Sequence, residues 1–193
     1  MNKVKGAVLR PMVEWFAGAC GEDELHHLGE SLRAPARAEV FFDAPALGIL
    51  PAGWYTESLA SELADGIVKR ASATMHDTEV LKQLGRTIVD RSLGRISRAA
   101  VEWFASPQTI ARSAPMFWRL YHDTGEVAAH VEGEAMHAHC THWCAHGQMW
   151  CRVVGASACR VLELAGLKDA RVWVHKCSGG QGECSLTFRW ASS

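Results

Sequence analysis

The last third of the chain concentrates side chains that can bind a metal ion. Six of the seven cysteines lie between residues 140 and 190. Cys177 and Cys184 flank the segment Ser-Gly-Gly-Gln-Gly-Glu, and a Gly-rich turn between two strands predicts a β-hairpin. Because a hairpin brings its strand ends together, these two thiols can share one metal ion. Buried free thiols and a Cys177–Cys184 disulfide are the alternatives.

Histidines add further candidate ligands. Ten are present, and six of them lie between His122 and His146. The segment Cys140–Cys144 falls in the same stretch, so a second metal site could form there with neighbouring histidines. A surface loop with incidental histidines is the alternative.

Aromatic side chains cluster in sequence around the change from helical to strand periodicity. An apolar wall with a few polar groups is typical of a site for an aromatic or other flat ligand. The candidate ligand-binding residues are Phe117, Trp118, Tyr121, His130, His137, Trp143 and Trp150. Packing in an ordinary hydrophobic core is the alternative for any one of these aromatic rings.

Hydrophobic periodicity predicts the elements that position these side chains. The predicted helices cover residues 4–19, 23–32, 54–71, 77–104, 107–121 and 145–164, and the predicted strands cover 126–131, 134–141, 170–175 and 185–190. This order predicts an α+β fold, with a helical N-terminal body packed on an antiparallel sheet of two hairpins separated by a helix.

Length and composition set the remaining bounds. Residues 1–193 fit a single domain, with a mainly helical part over 1–124 and the sheet, a helix and the Cys-rich hairpin over 125–193. The net charge of −1 argues against nucleic acid as a partner. No apolar stretch is long enough to span a membrane, and the N-terminus does not resemble a secretory signal. We therefore expect a cytoplasmic protein, where cysteines remain thiols or metal ligands.

The C-terminal third resembles the 4-vinyl reductase domain, a small-molecule-binding domain that also forms the aromatic-sensing part of certain bacterial transcription activators. The matching segments are Cys151-Arg-Val-Val-Gly155, Val172-Trp-Val-His-Lys-Cys177 and Cys184-Ser-Leu-Thr-Phe188. In the aromatic sensors, three cysteines and one glutamate hold a structural zinc ion.

That resemblance implies zinc ligands at Cys151, Cys177 and Cys184. The family glutamate falls at Val174 in this chain, so the fourth ligand has to come from another residue. His175 is the first choice, because it is expected to share a strand face with Cys177. The alternatives for the fourth ligand are Cys144, His146 and His139.

The N-terminal half resembles an uncharacterised bacterial family of stand-alone proteins that is distantly similar to the 4-vinyl reductase and heme-NO-binding group. The residues that carry this resemblance are Val4-Lys-Gly-Ala, Phe16 through Gly21, Gly53-Trp54-Tyr55 and Phe117-Trp118 through Gly125. It implies a mixed α/β sensor fold, often a homodimer. His76 and His122 lie near predicted helix ends, but the heme-propionate pattern Tyr-x-Ser-x-Arg is absent, which argues against heme.

The sequence thus favours a non-catalytic sensory domain for a small hydrophobic or aromatic ligand, with a structural zinc ion. Such a domain would act as a homodimer and signal through a separate output protein. An assembly scaffold of the same fold is the alternative, and a cysteine redox enzyme and a heme-based gas sensor rank lower. The catalytic patterns Gly-x-Ser-x-Gly, the phosphate loop and the dinucleotide fingerprint are all absent.

Overall fold

The computed structural model describes residues 2–92, 106–178 and 182–191. Seven α-helices and two antiparallel sheets occupy these ranges, which confirms the predicted α+β class. The helices are α1 (Gly6–Cys20), α2 (Glu22–Ser31), α3 (Ala34–Arg37), α4 (Glu57–Ala71), α5 (Asp77–Ser92), α6 (Pro107–Tyr121) and α7 (Gln148–Leu164). The strands are β1 (Lys3–Lys5), β2 (Trp54–Thr56), β3 (Glu126–Glu132), β4 (Ala135–Thr141), β5 (Lys168–Ser178) and β6 (Glu183–Ala191). The predicted continuation of α5 to residue 104 lies outside the described residues.

The helical body forms because each long helix has one continuous apolar face. In α4, Leu59, Leu63 and Ile67 recur at four-residue steps and are fully buried. The helix begins after Thr56, whose hydroxyl accepts a hydrogen bond from the Leu59 amide at 3.2 Å. Ser106 caps α6 in the same way through the Thr109 amide.

Helix α1 contains a proline whose missing amide is compensated from another helix. Pro11 cannot donate to the carbonyl of Ala7, four residues earlier. The Ser92 hydroxyl at the end of α5 donates to that carbonyl instead, at 2.7 Å. The hydrogen bond therefore ties α5 to α1 at a point where the helix would otherwise leave an unsatisfied acceptor.

The larger sheet has the strand order β3-β4-β6-β5, and every neighbouring pair is antiparallel. Its inner face packs against α6 and α7, while its outer face carries no helix among the described residues. Strand β5 has a register shift between Val174 and Lys176, so His175 forms a β-bulge and the alternation of side chains resets there. Strands β1 and β2 form the small second sheet beside α1 and α4.

Helix α7 lies close to both its neighbours because two glycines leave room for it. A Cβ atom on Gly155 would lie 3.1 Å from the Val172 side chain of β5. A Cβ atom on Gly85 of α5 would lie 2.5 Å from the Ala156 backbone. The close approach fixes α7 between the helical body and the sheet, where its cysteine and tryptophan side chains meet residues of both.

No helix among the described residues is both long enough and apolar enough to cross a membrane.

Candidate functional site

An apolar cavity lies between the inner face of the sheet and helices α5, α6 and α7. Its volume is about 200 Å³. Side chains of Val127, Ala129, Met136, Ala138 and Cys140 form the sheet side, as strand alternation requires for one face. From α6, three of the predicted ligand-binding residues reach it, namely Phe117, Trp118 and Tyr121.

His122 lines the same cavity directly after α6. It is 7% exposed, and its ring stacks on Trp118 with centroids 4.0 Å apart. Its Nδ1 donates to the Glu57 carboxylate at 2.7 Å, and the Trp150 indole donates to the other Glu57 oxygen at 2.8 Å. Glu57 is fully buried. A carboxylate on Nδ1 fixes the ring orientation and leaves Nε2 as the free nitrogen, as in many metal-ligating histidines.

Cys140 and Tyr121 also line the cavity and could ligate a metal as anions, but burial favours their protonated forms. Burial raises the pKa of Cys140 to about 12, with the neighbouring Cys184 adding to the effect. Burial also raises the pKa of the Tyr121 hydroxyl above its ordinary value. A thiol or phenol is a weaker ligand than its anion, so His122 is the best candidate ligand in this cavity.

A second constellation lies where α7 meets the last hairpin. Ligand atoms of His146, Cys151, Cys177 and Cys184 all lie within 4.8 Å of one another. We call these four residues the His–Cys cluster. The Cys151 sulfur lies 2.8 Å from that of Cys184 and 3.1 Å from that of Cys177. Three sulfurs and one imidazole nitrogen are the donor set of a tetrahedral Cys₃His metal site.

His146 is held ready to ligate. Its Nδ1 donates to the Trp143 carbonyl, and its Nε2 is buried without a partner. Burial lowers the pKa of His146, despite the opposing effects of that hydrogen bond and of Glu57, so the ring remains neutral as a metal ligand must be. The loop that carries it has positive φ at His142 and Ala145. Such conformations persist only where the surrounding structure imposes them.

The thiols of the cluster are hydrogen-bonded to one another. Cys151 donates to Cys184, which raises the pKa of Cys151 and lowers that of Cys184. Burial raises the pKa of Cys177. The hydrogen bonds therefore make Cys184 the easiest of the three thiols to ionise, and a bound cation would favour the thiolate form of all three.

The predicted fourth ligand, His175, does not join the cluster. His175 follows Trp173 onto the outer face, where its Nε2 lies 2.8 Å from the Thr187 hydroxyl, and the β-bulge places Cys177 on the inner face opposite Cys184. His146 occupies the fourth position instead, and Val174 stays at its register position opposite Leu186. His146 was one of the three alternatives for the fourth ligand. The other two lie outside the cluster, since Cys144 is exposed and His139 contacts Ser185 on the outer face.

The four remaining predicted ligand-binding residues lie on different sides of the sheet. His130 and His137 lie on the outer face, away from the cavity. Trp143 is fully buried behind His122, with ring centroids 5.7 Å apart, and Trp150 contacts Glu57. Sequence reasoning missed Glu57, which is 65 residues from His122. Glu57 lies outside the apolar stripe of Leu59, Leu63 and Ile67, so the periodicity of α4 gave no signal for it.

No family model matches the sequence, and no curated protein matches it. Solved structures do match the fold. An Fe(II) unliganded H-NOX protein from K. algicida aligns with a TM-score of 0.69 and 8% identity, covering 98% of this chain and 97% of that one. An H-NOX protein from S. oneidensis in the Fe(II) ligation state gives 0.63 and 14%, covering 97% and 96%. A structure from a study of heme distortion in the H-NOX family gives 0.59 and 11%, covering 97% and 95%.

These matches establish the fold and correct two predictions. The sequence argued against heme and put zinc first among cofactors, yet structures of this fold are described by their heme and Fe(II) state. Ranking a heme-based gas sensor below a heme-free ligand-binding domain was therefore wrong. The error arose because one absent pattern, Tyr-x-Ser-x-Arg, was given more weight than the fold. The three matched structures are described as H-NOX proteins, not as enzymes.

The cavity fits some requirements of heme and not others. His122 offers a free Nε2 among apolar walls, which is how a proximal histidine meets heme iron. Residues 93–105 contain no histidine, cysteine, methionine or tyrosine, so no competing axial ligand comes from that segment. No lysine or arginine of the described chain lines the cavity to pair with propionates. The cavity volume of about 200 Å³ is below the roughly 300–1,000 Å³ of sites for drug-sized ligands. To admit a heme, the helices and the sheet around the cavity would therefore have to separate.

Proposed function

We propose that this protein is a non-catalytic sensory domain that binds heme through His122. The observation that carries the proposal is the buried Glu57–His122 hydrogen bond at the wall of the apolar cavity. The similarity to H-NOX structures over 97–98% of this chain supports the same reading. A heme held here by His122 would supply a reducible iron that can bind a small gaseous ligand.

Each side chain around His122 then has a defined task. Glu57 fixes the ring and keeps Nε2 free. Trp118 stacks on the imidazole and donates its indole hydrogen to the Thr124 carbonyl at 2.8 Å, so it limits ring rotation. The apolar walls formed by Met136 and Phe188 exclude water from the ligand.

Hemin titration of the purified protein tests this proposal. We expect stoichiometric binding with a Soret band of histidine-ligated iron. His122→Ala should bind at least tenfold more weakly, and added imidazole should restore the spectrum by filling the space. His76→Ala is the matched control, because His76 is exposed just before α5 and its ring hydrogen-bonds to Thr78. Absence of stoichiometric binding, or equal binding by His122→Ala, would contradict the proposal.

A second proposal concerns the His–Cys cluster. We infer that it binds a thiolate-preferring divalent ion of the class that includes Zn²⁺, with a structural role. The supporting observation is the buried Nε2 of His146, which has no hydrogen-bond partner but faces three sulfur atoms. Four protein ligands leave no position for substrate, which is typical of structural sites. Elemental analysis of untagged protein purified without chelator should find about one ion per chain.

We also propose that the protein is cytoplasmic, acts as a homodimer and signals through a separate output protein, as the sequence resemblance implies. Met116 and Leu120 lie one turn apart on α6 and are 53% and 51% exposed. They form an apolar surface that such a contact would cover. Sedimentation equilibrium tests the dimer, and a monomer at all concentrations would contradict it.

A further inference from the structure

The outer face of the sheet carries four histidines. Strand β3 contributes His130, β4 contributes His137 and His139, and the bulge of β5 contributes His175. They lie opposite the face that lines the cavity, so neither the heme proposal nor the metal cluster uses them.

His130 and His137 are the closest pair. They are direct cross-strand partners in the register of β3 and β4. Their ring centroids lie 5.2 Å apart with planes inclined by 26°. Two imidazoles that bind one metal ion at Zn–N distances of about 2.0–2.1 Å and a tetrahedral angle have ring centroids about 5 Å apart. The pair therefore already has the spacing that a shared ion requires.

A buried hydroxyl group contacts the Nδ1 atom of His137. Its Nδ1 lies 3.0 Å from the Thr187 hydroxyl, directly across from it on β6. Thr187 is only 6% exposed although it lies on the outer face. The Nε2 atom of His175 lies 2.8 Å from the same hydroxyl. Trp173 on β5 is the register partner of Thr187. A hydrogen bond at Nδ1 leaves Nε2 free to ligate and restricts the ring, as outer partners do in metal sites.

A further imidazole is available beside the pair. His139 lies two residues along β4 on the same face, and its Nδ1 is 2.9 Å from the Ser185 hydroxyl. Its Nε2 is therefore the nitrogen left for a ligand. Imidazole donors suit Zn²⁺, Cu²⁺ and Ni²⁺ and are poor ligands for Mg²⁺ and Ca²⁺. The position on an open sheet face leaves coordination sites for water or an incoming ligand.

We propose that His130 and His137 form a second metal site, which binds a divalent transition metal ion on the outer face of the sheet. This inference is independent of heme binding and of the His–Cys cluster. It predicts an imidazole-only site with exchangeable positions, in contrast to the closed four-ligand cluster. The hydrogen bond to Thr187 holds the His137 ring in place, and the two cross-strand imidazoles supply the metal ligands.

Calorimetric titration with Ni²⁺ tests the proposal on the full chain, after loading with one equivalent of Zn²⁺. We expect about one Ni²⁺ per chain, and at least tenfold weaker binding for His130→Ala and for His137→Ala. His26→Ala is the matched control, an exposed histidine on α2 beside Glu30, and should bind like the wild type. Zinc measured after the titration should be unchanged.

Three results would overturn the proposal. The first is no Ni²⁺ binding beyond the zinc equivalent. The second is equal affinity in the wild type, His130→Ala and His137→Ala. The third is release of the zinc equivalent with Ni²⁺ uptake, which would place Ni²⁺ at the cysteines. Because His130 is exposed, His130→Ala should fold normally. It therefore tests the proposal even if His137→Ala fails to fold.

Discussion

The cavity and the His–Cys cluster are each organised around one buried histidine, and the two rings lie on either side of Trp143. His122 meets Trp143 edge-on with centroids 5.7 Å apart, whereas His146 stacks on it at 4.1 Å. Both rings use Nδ1 to donate to an oxygen and leave Nε2 for something else. The difference lies in what Nε2 faces, which is open apolar space for His122 and three sulfur atoms for His146.

That difference indicates two kinds of site. The cavity wall holds its histidine by a side-chain carboxylate and leaves space, so a ligand can enter and leave. The cluster holds its histidine by a backbone carbonyl and leaves no space, so its ligand would be permanent. The first arrangement suits sensing and the second suits stability.

The largest expected effect is loss of the metal ion from the cluster. In Cys151→Ser, the central sulfur between Cys177 and Cys184 is removed. Loss of a structural ion should cost roughly 4 kcal/mol, which corresponds to a fall in Tm of roughly 8–16 °C for a chain of this size. Thermal unfolding followed by circular dichroism measures it, and chelator treatment of the wild type should give a similar fall.

Cys144→Ser is the control for that prediction. Cys144 lies in the same loop as His146 but is exposed and outside the cluster. We expect its unfolding free energy to stay within about 0.5 kcal/mol of the wild type. Equal Tm values for Cys151→Ser and the untreated wild type would show that the cluster holds no structural ion.

Glu57→Gln should have an intermediate effect at the cavity. Gln keeps the side-chain size, but its one oxygen cannot accept from both the His122 and Trp150 donors, and its amide faces one of them. Leaving a buried donor unsatisfied should cost about 1–3 kcal/mol. Hemin affinity should also fall by at least about tenfold, because His122 loses its orienting partner. Urea unfolding and hemin titration check the two parts.

Glu62→Gln gives the matched comparison on the same helix. Glu62 accepts hydrogen bonds from Arg33, whose side chain is 78% exposed. An exposed ion pair contributes only about 0–1 kcal/mol, so this variant should retain both stability and hemin affinity. If Glu57→Gln behaved like Glu62→Gln, the buried carboxylate would not position His122.

The sequence predicted most of the fold because the long elements have clear periods. Helix α4 was predicted to begin at Trp54, but strand β2 takes Trp54–Thr56 and the helix begins at Glu57. Strands β1 and β2 were missed because three residues cannot show a period. Their pairing, Val4 with Tyr55, joins segments that are far apart in sequence, and no local pattern encodes it.

The candidate sites were predicted in part for the same physical reason. Cys177 and Cys184 meet because a hairpin turn joins them, and Phe117, Trp118 and Tyr121 line one cavity because α6 puts them there. The choice between His175 and His146 depended on one β-bulge, which reverses the side-chain alternation of β5. The role of His122 depended on Glu57, a contact across two elements that only the tertiary structure brings together.

The smallest expected effect is at Cys159, a buried cysteine that belongs to neither the cavity nor the His–Cys cluster. Burial, with a smaller effect from the Glu163 charge, raises the pKa of Cys159 from 9.0 to about 12. Between these values the unfolded chain loses the thiol proton while the folded chain keeps it. Stability is therefore unaffected below pH 9 and falls as pH rises above it, by about 1 kcal/mol near pH 10.

Cys159→Ala should reduce that alkaline slope, because this thiol no longer ionises on unfolding, whereas Cys140, whose pKa burial also raises to about 12, keeps its own contribution. Urea unfolding of the wild type and Cys159→Ala between about pH 8 and pH 10.5 measures the difference in slope. Cys144→Ala, at an exposed thiol, should keep the wild-type slope. The cysteines of the cluster should add no such slope, because a bound metal ion already holds them as thiolates in the folded state. A full wild-type slope in Cys159→Ala would contradict the prediction, because it would mean that burial does not raise the pKa of Cys159.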